Sequence, residues 1–166
     1  MALIKEVNGI SPRYDDSCYF SENAAIIGDV ALGKNCSVWF CSIIRGDVAS
    51  ITIGNGVNVQ DGACVHVSRD AATTIEDDVS IGHNAVVHGC TIHRGALIGM
   101  GAVVMDHAEI GADAIIAAGA VVLQYTIVGP GEIWAGVPAK KVGMTTSGVA
   151  ADYAHRYVQY IGWYKD

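Results

Sequence analysis

Residues 92–122 read IHRGAL IGMGAV VMDHAE IGADAI IAAGAV V, and in every block of six the first place is Ile or Val and the fifth is Ala. That period is not the 3.6 of a helix, nor the plain alternation of an ordinary strand. A unit with one large and one small inward side chain suits a short strand followed by a tight corner, so three units close a triangular coil. The same beat runs backward through Val87, Ile81, Ile75, Val65, Val59, Ile53, Ile44, Val38, Leu32, Ile26 and Phe20, and forward to Val128. Four places after the beats stand Ala24, Val30, Cys36, Ser42, Ala63 and Ala85, and the place just after a beat is often glycine. The expectation is an all-β solenoid of hexapeptide repeats, roughly six coils and about 29 Å tall at about 4.8 Å per rung. Its interior is a column of Ile and Val, whose stiff β-branched side chains pack well on a pleated surface.

Around this repeat the chain of 166 residues reads as a single domain, 1–166, with coils over about 20–128. A turn-rich connection, 129–148, carries Gly129-Pro130-Gly131 and Gly136-Val137-Pro138. Over 149–164 the apolar positions Ala150, Ala154, Tyr157, Val158, Ile161 and Tyr164 are spaced by threes and fours, which predicts an amphipathic helix packed on the solenoid or a neighbouring subunit. A net charge of −7 and ten scattered basic residues exclude nucleic acid or an anionic membrane as the main partner. Apolar runs are far shorter than the roughly 18 residues of a membrane span, and the amino terminus has no signal-peptide pattern, so the expected location is the cytoplasm. Five cysteines without a C-x-x-C pair read as reduced, structural thiols.

Placing polar residues in the frame of the beats turns them into columns, given short insertions near Ser50–Thr52 and Ala71–Thr74. The units beginning Ile44, Val65 and Val87 then share one face, C, and those beginning Val38, Val59 and Ile81 share the preceding face, B. The residue after an inward beat points outward. On C these are Arg45, His66 and His88, with the two imidazoles on adjacent rungs and able to share one cation. On B the outward place holds Trp39 and Gln60, and the corner place holds Asp61 and His83. A zinc site takes three or four N, O or S ligands, and His83 lies around the corner from the other two. Face B of one subunit packed on face C of the next would bring His83 across, and a head-to-tail contact on a triangular rod closes as a homotrimer. Arg45 has two candidate partners, Asp47 beside it or Asp61 across the interface, and Gln60 lies within reach of a water on the metal. His93, His107 and His155 read as ordinary surface histidines, and Cys90 as a weak alternative ligand.

The ordered set Val38-Trp39, Arg45-Gly46-Asp47, Asn58-Val59-Gln60-Asp61, His66, Ile81-Gly82-His83, Val87-His88-Gly89-Cys90-Thr91-Ile92 and Gly136-Val137-Pro138-Ala139-Lys140 resembles the γ-class carbonic anhydrases. The resemblance covers about Ala24 to Lys141. It implies a left-handed β-helix and a homotrimer in which His66 and His88 of one subunit and His83 of the next bind zinc, or iron or cobalt. It implies also that Arg45, Asp47 and Asp61 tie subunits together and that Gln60 orients the attacking water. The implied activity is that of a lyase, reversible hydration of carbon dioxide to bicarbonate by a metal-bound hydroxide. In one respect the chain departs from the family pattern: two loops that carry proton-relaying glutamates in well-characterised members hold none here, at Val48-Ala49 and from Ser68 to Thr74. Two other readings stand beside it. One is a hexapeptide acyltransferase using an acyl-CoA donor; the other is a noncatalytic, metal-stabilised trimeric scaffold.

Overall fold

The computed structural model describes residues 1–146 and 148–165. They form a left-handed parallel β-helix followed by one α-helix, α1 (Ala151–Ile161). The beats stack in register, Val38 on Val59, Ile81, Ile98, Ile116 and Trp134 along face B, and Ile26 on Ile44, Val65, Val87, Val104 and Val122 along face C. The third face, A, stacks Tyr14, Leu32, Ile53, Ile75, Ile92, Ile110 and Val128. Face B carries seven parallel strands, Tyr19–Phe20 to Glu132–Gly136, so the solenoid has one coil more than the repeat suggested. The extra coil comes from the expected connection: Ile133 and Trp134 extend face B, and Ala139–Met144 folds back antiparallel to close it.

Packing follows the sequence pattern. Every beat from Ile26 to Val128 is at most 7% exposed, and the small residues four places later are buried with them. Only Phe20, on the first coil, is half-buried. The third place after a beat turns through left-handed backbone, as at Asn35 (φ 56°), Gly62 (φ 70°), Asn84 (φ 56°) and Asp113 (φ 57°). Gly, Asn and Asp suit this place because they tolerate that conformation.

Corners between faces are six residues apart almost everywhere, and the exceptions all fall on one edge. Between faces C and A, nine residues separate Ile44 from Ile53, ten separate Val65 from Ile75, and five separate Val87 from Ile92. The register places the first insertion opposite Asp29, within 47–50, and the second around the Ser68–Ala71 bridge. Both lie a few residues earlier than the sequence reading put them, directly after the outward column of face C.

Helix α1 returns along face B. Trp39 packs on Tyr157 and Tyr164 with ring centroids 5.5 and 5.1 Å apart, Tyr164 also meets Tyr19 at 5.7 Å, and Ala154 and Ile161 are buried. Beneath lies a buried polar ladder. Trp39 Nε1 donates to Ser37 Oγ at 2.9 Å, Asn58 Nδ2 to Ser80 Oγ at 2.8 Å, and Gln60 Nε2 to Asn58 Oδ1 at 2.9 Å. The chain's own helix, as its spacing predicted, packs along the solenoid and covers face B at these rungs, and it leaves the corner with Asp61 and His83 accessible. Among the described residues no helix is long and apolar enough to cross a membrane.

Candidate metal centre

Because Val65 and Val87 pair in register, His66 and His88 stand on adjacent rungs as partners. Their rings are 5.0 Å apart, and His66 Nδ1 faces His88 Nε2 at 3.0 Å. The far nitrogen of each ring is held by a carboxylate, His66 Nε2 by Asp47 Oδ1 at 3.0 Å and His88 Nδ1 by Asp106 Oδ1. Ser68 Oγ donates to the other Asp106 oxygen at 2.8 Å, and Thr73 Oγ1 to the His66 carbonyl at 2.7 Å. Asp47 also pairs with Arg45. The hydrogen bond from His66, more than any other influence, holds the Asp47 carboxyl below its ordinary range. Burial pushes Asp106 upward, and the bonds from His88 and Ser68 outweigh it to leave a net lowering.

This arrangement assigns the tautomers. A neutral imidazole has one donor and one acceptor nitrogen. With the protons of His66 and His88 turned to Asp47 and Asp106, two lone pairs face each other at 3.0 Å, which is unfavourable unless a proton or a cation lies between them. Two nitrogens bound tetrahedrally at about 2.0–2.1 Å stand about 3.3 Å apart, so a small outward shift would admit a divalent ion. Carboxylates that orient ligating histidines in this way are the usual outer support of a metal site. The donor set of one chain is short, however. Among the described residues no three His, Cys, Asp or Glu side chains converge to hold a metal ion.

His83 lies elsewhere, at the corner after the Ser80–Ile81 strand, where its Nδ1 meets Asp61 Oδ2 at 3.0 Å and its side chain is 40% exposed. Gln60, 5% exposed, lines a 410 Å³ cavity with His83, beneath α1 and against Leu97, Ile98 and Met100. Burial and the Asp61 charge push the Tyr157 phenol in this cavity up to about 12. Within one chain, then, the seven candidate residues fall into two groups: Arg45, Asp47, His66 and His88 on face C, and Gln60, Asp61 and His83 around the corner. Asp61 is engaged by His83 and Arg45 by Asp47, so an Arg45 to Asp61 pair is not formed within the chain. Cys90 points into the core, where burial raises its thiol to about 12. Sequence reasoning missed Asp106. Its signal is its place on the coil after His88, beside Gly89, whose missing Cβ leaves room for the carboxylate.

The six-repeat bacterial transferase hexapeptide family matches residues 72–104 and 89–124. A carbonic anhydrase of Geobacillus kaustophilus is 44% identical over 84% of this chain and 77% of its own length. The chain belongs to the γ-class carbonic anhydrase family. The mitochondrial gamma carbonic anhydrase 2 of Arabidopsis thaliana is 42% identical over 78% of this chain, which spans about half of that longer relative, 49%. The crystal structure of a hexapeptide transferase family protein from Anaplasma phagocytophilum superposes with a TM-score of 0.94 at 38% identity, covering 98% of each chain.

Proposed function

We propose that the protein is a metal-dependent, carbonic anhydrase-like lyase, working as a homotrimer whose sites are shared between subunits. The observation that carries this reading is the pair of ring nitrogens of His66 and His88 that face each other at 3.0 Å while Asp47 and Asp106 engage the opposite nitrogens. A third imidazole, His83 of an adjacent subunit, completes the set, for which zinc is the first candidate and iron or cobalt the others. When bound, a divalent ion held by three neutral imidazoles lowers the pKa of a coordinated water to about 7. The chain's own residues do the rest. Asp47, Asp106 and Asp61 fix the tautomers and ring orientations of His66, His88 and His83. Asn58 holds the Gln60 amide so that Gln60 orients the attacking water. Leu97 and Met100 offer a small apolar gas an apolar wall. Arg45 and Asp61 tie adjacent subunits at the open corner, each trading part of its intrachain contact for the partner. Neither insertion carries a glutamate to relay protons, so slow turnover is expected.

A second reading, acyl transfer from an acyl-CoA donor, draws on the hexapeptide transferase likeness. Three histidines in these phases favour the lyase instead. The deciding experiment is stopped-flow hydration of carbon dioxide by the zinc- and iron-loaded protein, with metal content and sedimentation measured alongside. Metal-dependent hydration by a trimer is expected. A metal-loaded trimer with no hydration would leave the scaffold reading, and acyl transfer from acetyl-CoA without hydration would establish the second.

A further inference from the structure

Cys18 and Cys36 occupy the same place on the first two coils. Tyr19 pairs with Ser37, and the Tyr19 N–H donates to the Cys36 carbonyl at 2.9 Å, so the two cysteines are neighbours across adjacent rungs. Residues in register on parallel strands stand about 4.8 Å apart. That separation falls within the roughly 4.4–6.8 Å between Cα atoms that a disulfide spans. Both thiols lean the same way along the axis: Cys18 Sγ donates to the Gly33 carbonyl and Cys36 Sγ to the Gly54 carbonyl, each at 3.0 Å. The Cys18 sulfur is thereby directed at the coil that carries Cys36. Cys36 is buried, whereas Cys18 is half-buried and reachable by a small solute. No other cysteine has such a neighbour: Cys64 stacks between Ile43 and Val86, exposed Cys41 bonds Asn23, and Cys90 is buried.

We propose that Cys18 and Cys36 form an oxidative modification site, converted by hydrogen peroxide to a disulfide that staples the first coil to the second. The Cys18 thiolate attacks one peroxide oxygen, the O–O bond breaks, and hydroxide leaves to be protonated to water, giving a sulfenic acid. The Cys36 sulfur then attacks the Cys18 sulfur, the S–O bond breaks, and a second water departs with the Cys36 proton. One peroxide is reduced and two thiols are oxidised. When Cys18 ionises it gives up its bond to Gly33, and the Cys36 thiol can turn from Gly54 to face the charge; that influence, first among several, draws Cys18 down to about 7, so much of it is thiolate at neutral pH. The facing Cys18 side chain and burial push Cys36 the other way.

The test treats the full chain with a few equivalents of hydrogen peroxide. Intact mass should fall by about 2 Da, as loss of two hydrogens requires, and a non-reducing digest should yield a peptide linking Cys18 to Cys36. The melting temperature should rise by several degrees and return with dithiothreitol. Cys18→Ser should abolish the link, and Cys41→Ser should leave it intact. A digest in which Cys18 carries only added oxygen, or is linked to a cysteine other than Cys36, would overturn the proposal. So would an unchanged intact mass after the same treatment of the unsubstituted chain.

Discussion

Faces B and C are made by the same hexapeptide unit and bury equivalent beats, yet their outer surfaces have opposite fates. On B the outward places hold Ser37, Trp39, Asn58, Gln60 and Ser80, and α1 seals them into a hydrogen-bonded layer. On C the same places hold Ile43, Arg45, Cys64, His66, Val86 and His88, all exposed or half-buried. The coil dictates what points inward and leaves the outward column free to be closed from within the chain or left for another molecule. The proposed metal centre depends on that contrast: its imidazoles sit on the uncovered face and on the corner that the helix leaves open.

The largest effect should come from breaking the uncovered side. His66→Ala and His83→Ala should each lose nearly all bound metal. Co-expressed, they should regain about a quarter of it, because in a head-to-tail ring of randomly mixed chains one interface in four keeps all three histidines. Absence of any recovery in mixed trimers would falsify the shared site while leaving the family assignment untouched.

On the covered side, Gln60→Ala should reduce the hydration rate by about ten- to a thousandfold with metal stoichiometry retained, by analogy with removal of one orienting group. Parallel loss of metal, measured by elemental analysis, would show Gln60 to be structural. Asp106→Asn sharpens the uncovered side. It should weaken metal affinity by about ten- to a hundredfold, as loss of an orienting carboxylate does, with an unchanged circular dichroism spectrum. Equal affinity in a chelator competition would remove Asp106 from the site.

Deleting 149–166 exposes Trp39 and the polar ladder of face B. Loss of about 3 kcal/mol of burial is expected, a fall of about 6–12 °C in melting temperature. An unchanged melt would mean that α1 contributes nothing to sealing face B.

The smallest effect belongs to face A, where His93 bridges Glu109 at 2.9 Å and Glu76 at 3.0 Å. The bond to Glu109, then that to Glu76, raises the His93 pKa. Its stabilisation is therefore complete below the unfolded value of about 6.5 and is lost as pH rises through the higher folded one. His93→Gln should melt about 1–3 °C lower than the wild type at pH 6, and the two should converge by pH 9. A difference independent of pH would assign the effect to packing.

The coil was legible from residues 92–122 because six is a period that no other common element shares. The columns followed once the insertions were allowed for, which is why His66 and His88 could be placed together and His83 apart. Asp106 was not legible, since in Met105-Asp106-His107 it reads as an ordinary turn carboxylate. Its role appears only when the residue missing between Val87 and Ile92 and the bare Cα of Gly89 bring it against His88. The landing place of α1 was hidden for another reason. Its helical spacing was visible, but the match of Tyr157 and Tyr164 to Trp39 joins residues more than a hundred positions apart with no period to connect them.

The three irregular steps between faces C and A give this edge a property the other two lack. Stacking elsewhere is locked to a six-residue metre, so an added or lost residue would throw every following beat out of phase. On this edge three successive coils have already absorbed three extra residues, four extra, and one fewer, and the beats beyond resume in step. The edge is a seam where loop length and content can be exchanged while the frame stays fixed. Because it borders Arg45, His66 and His88, a lineage or an engineer can retune the surroundings of the imidazoles, by writing acidic residues into 47–50 or 68–71 for instance, without asking the solenoid to fold in a new way.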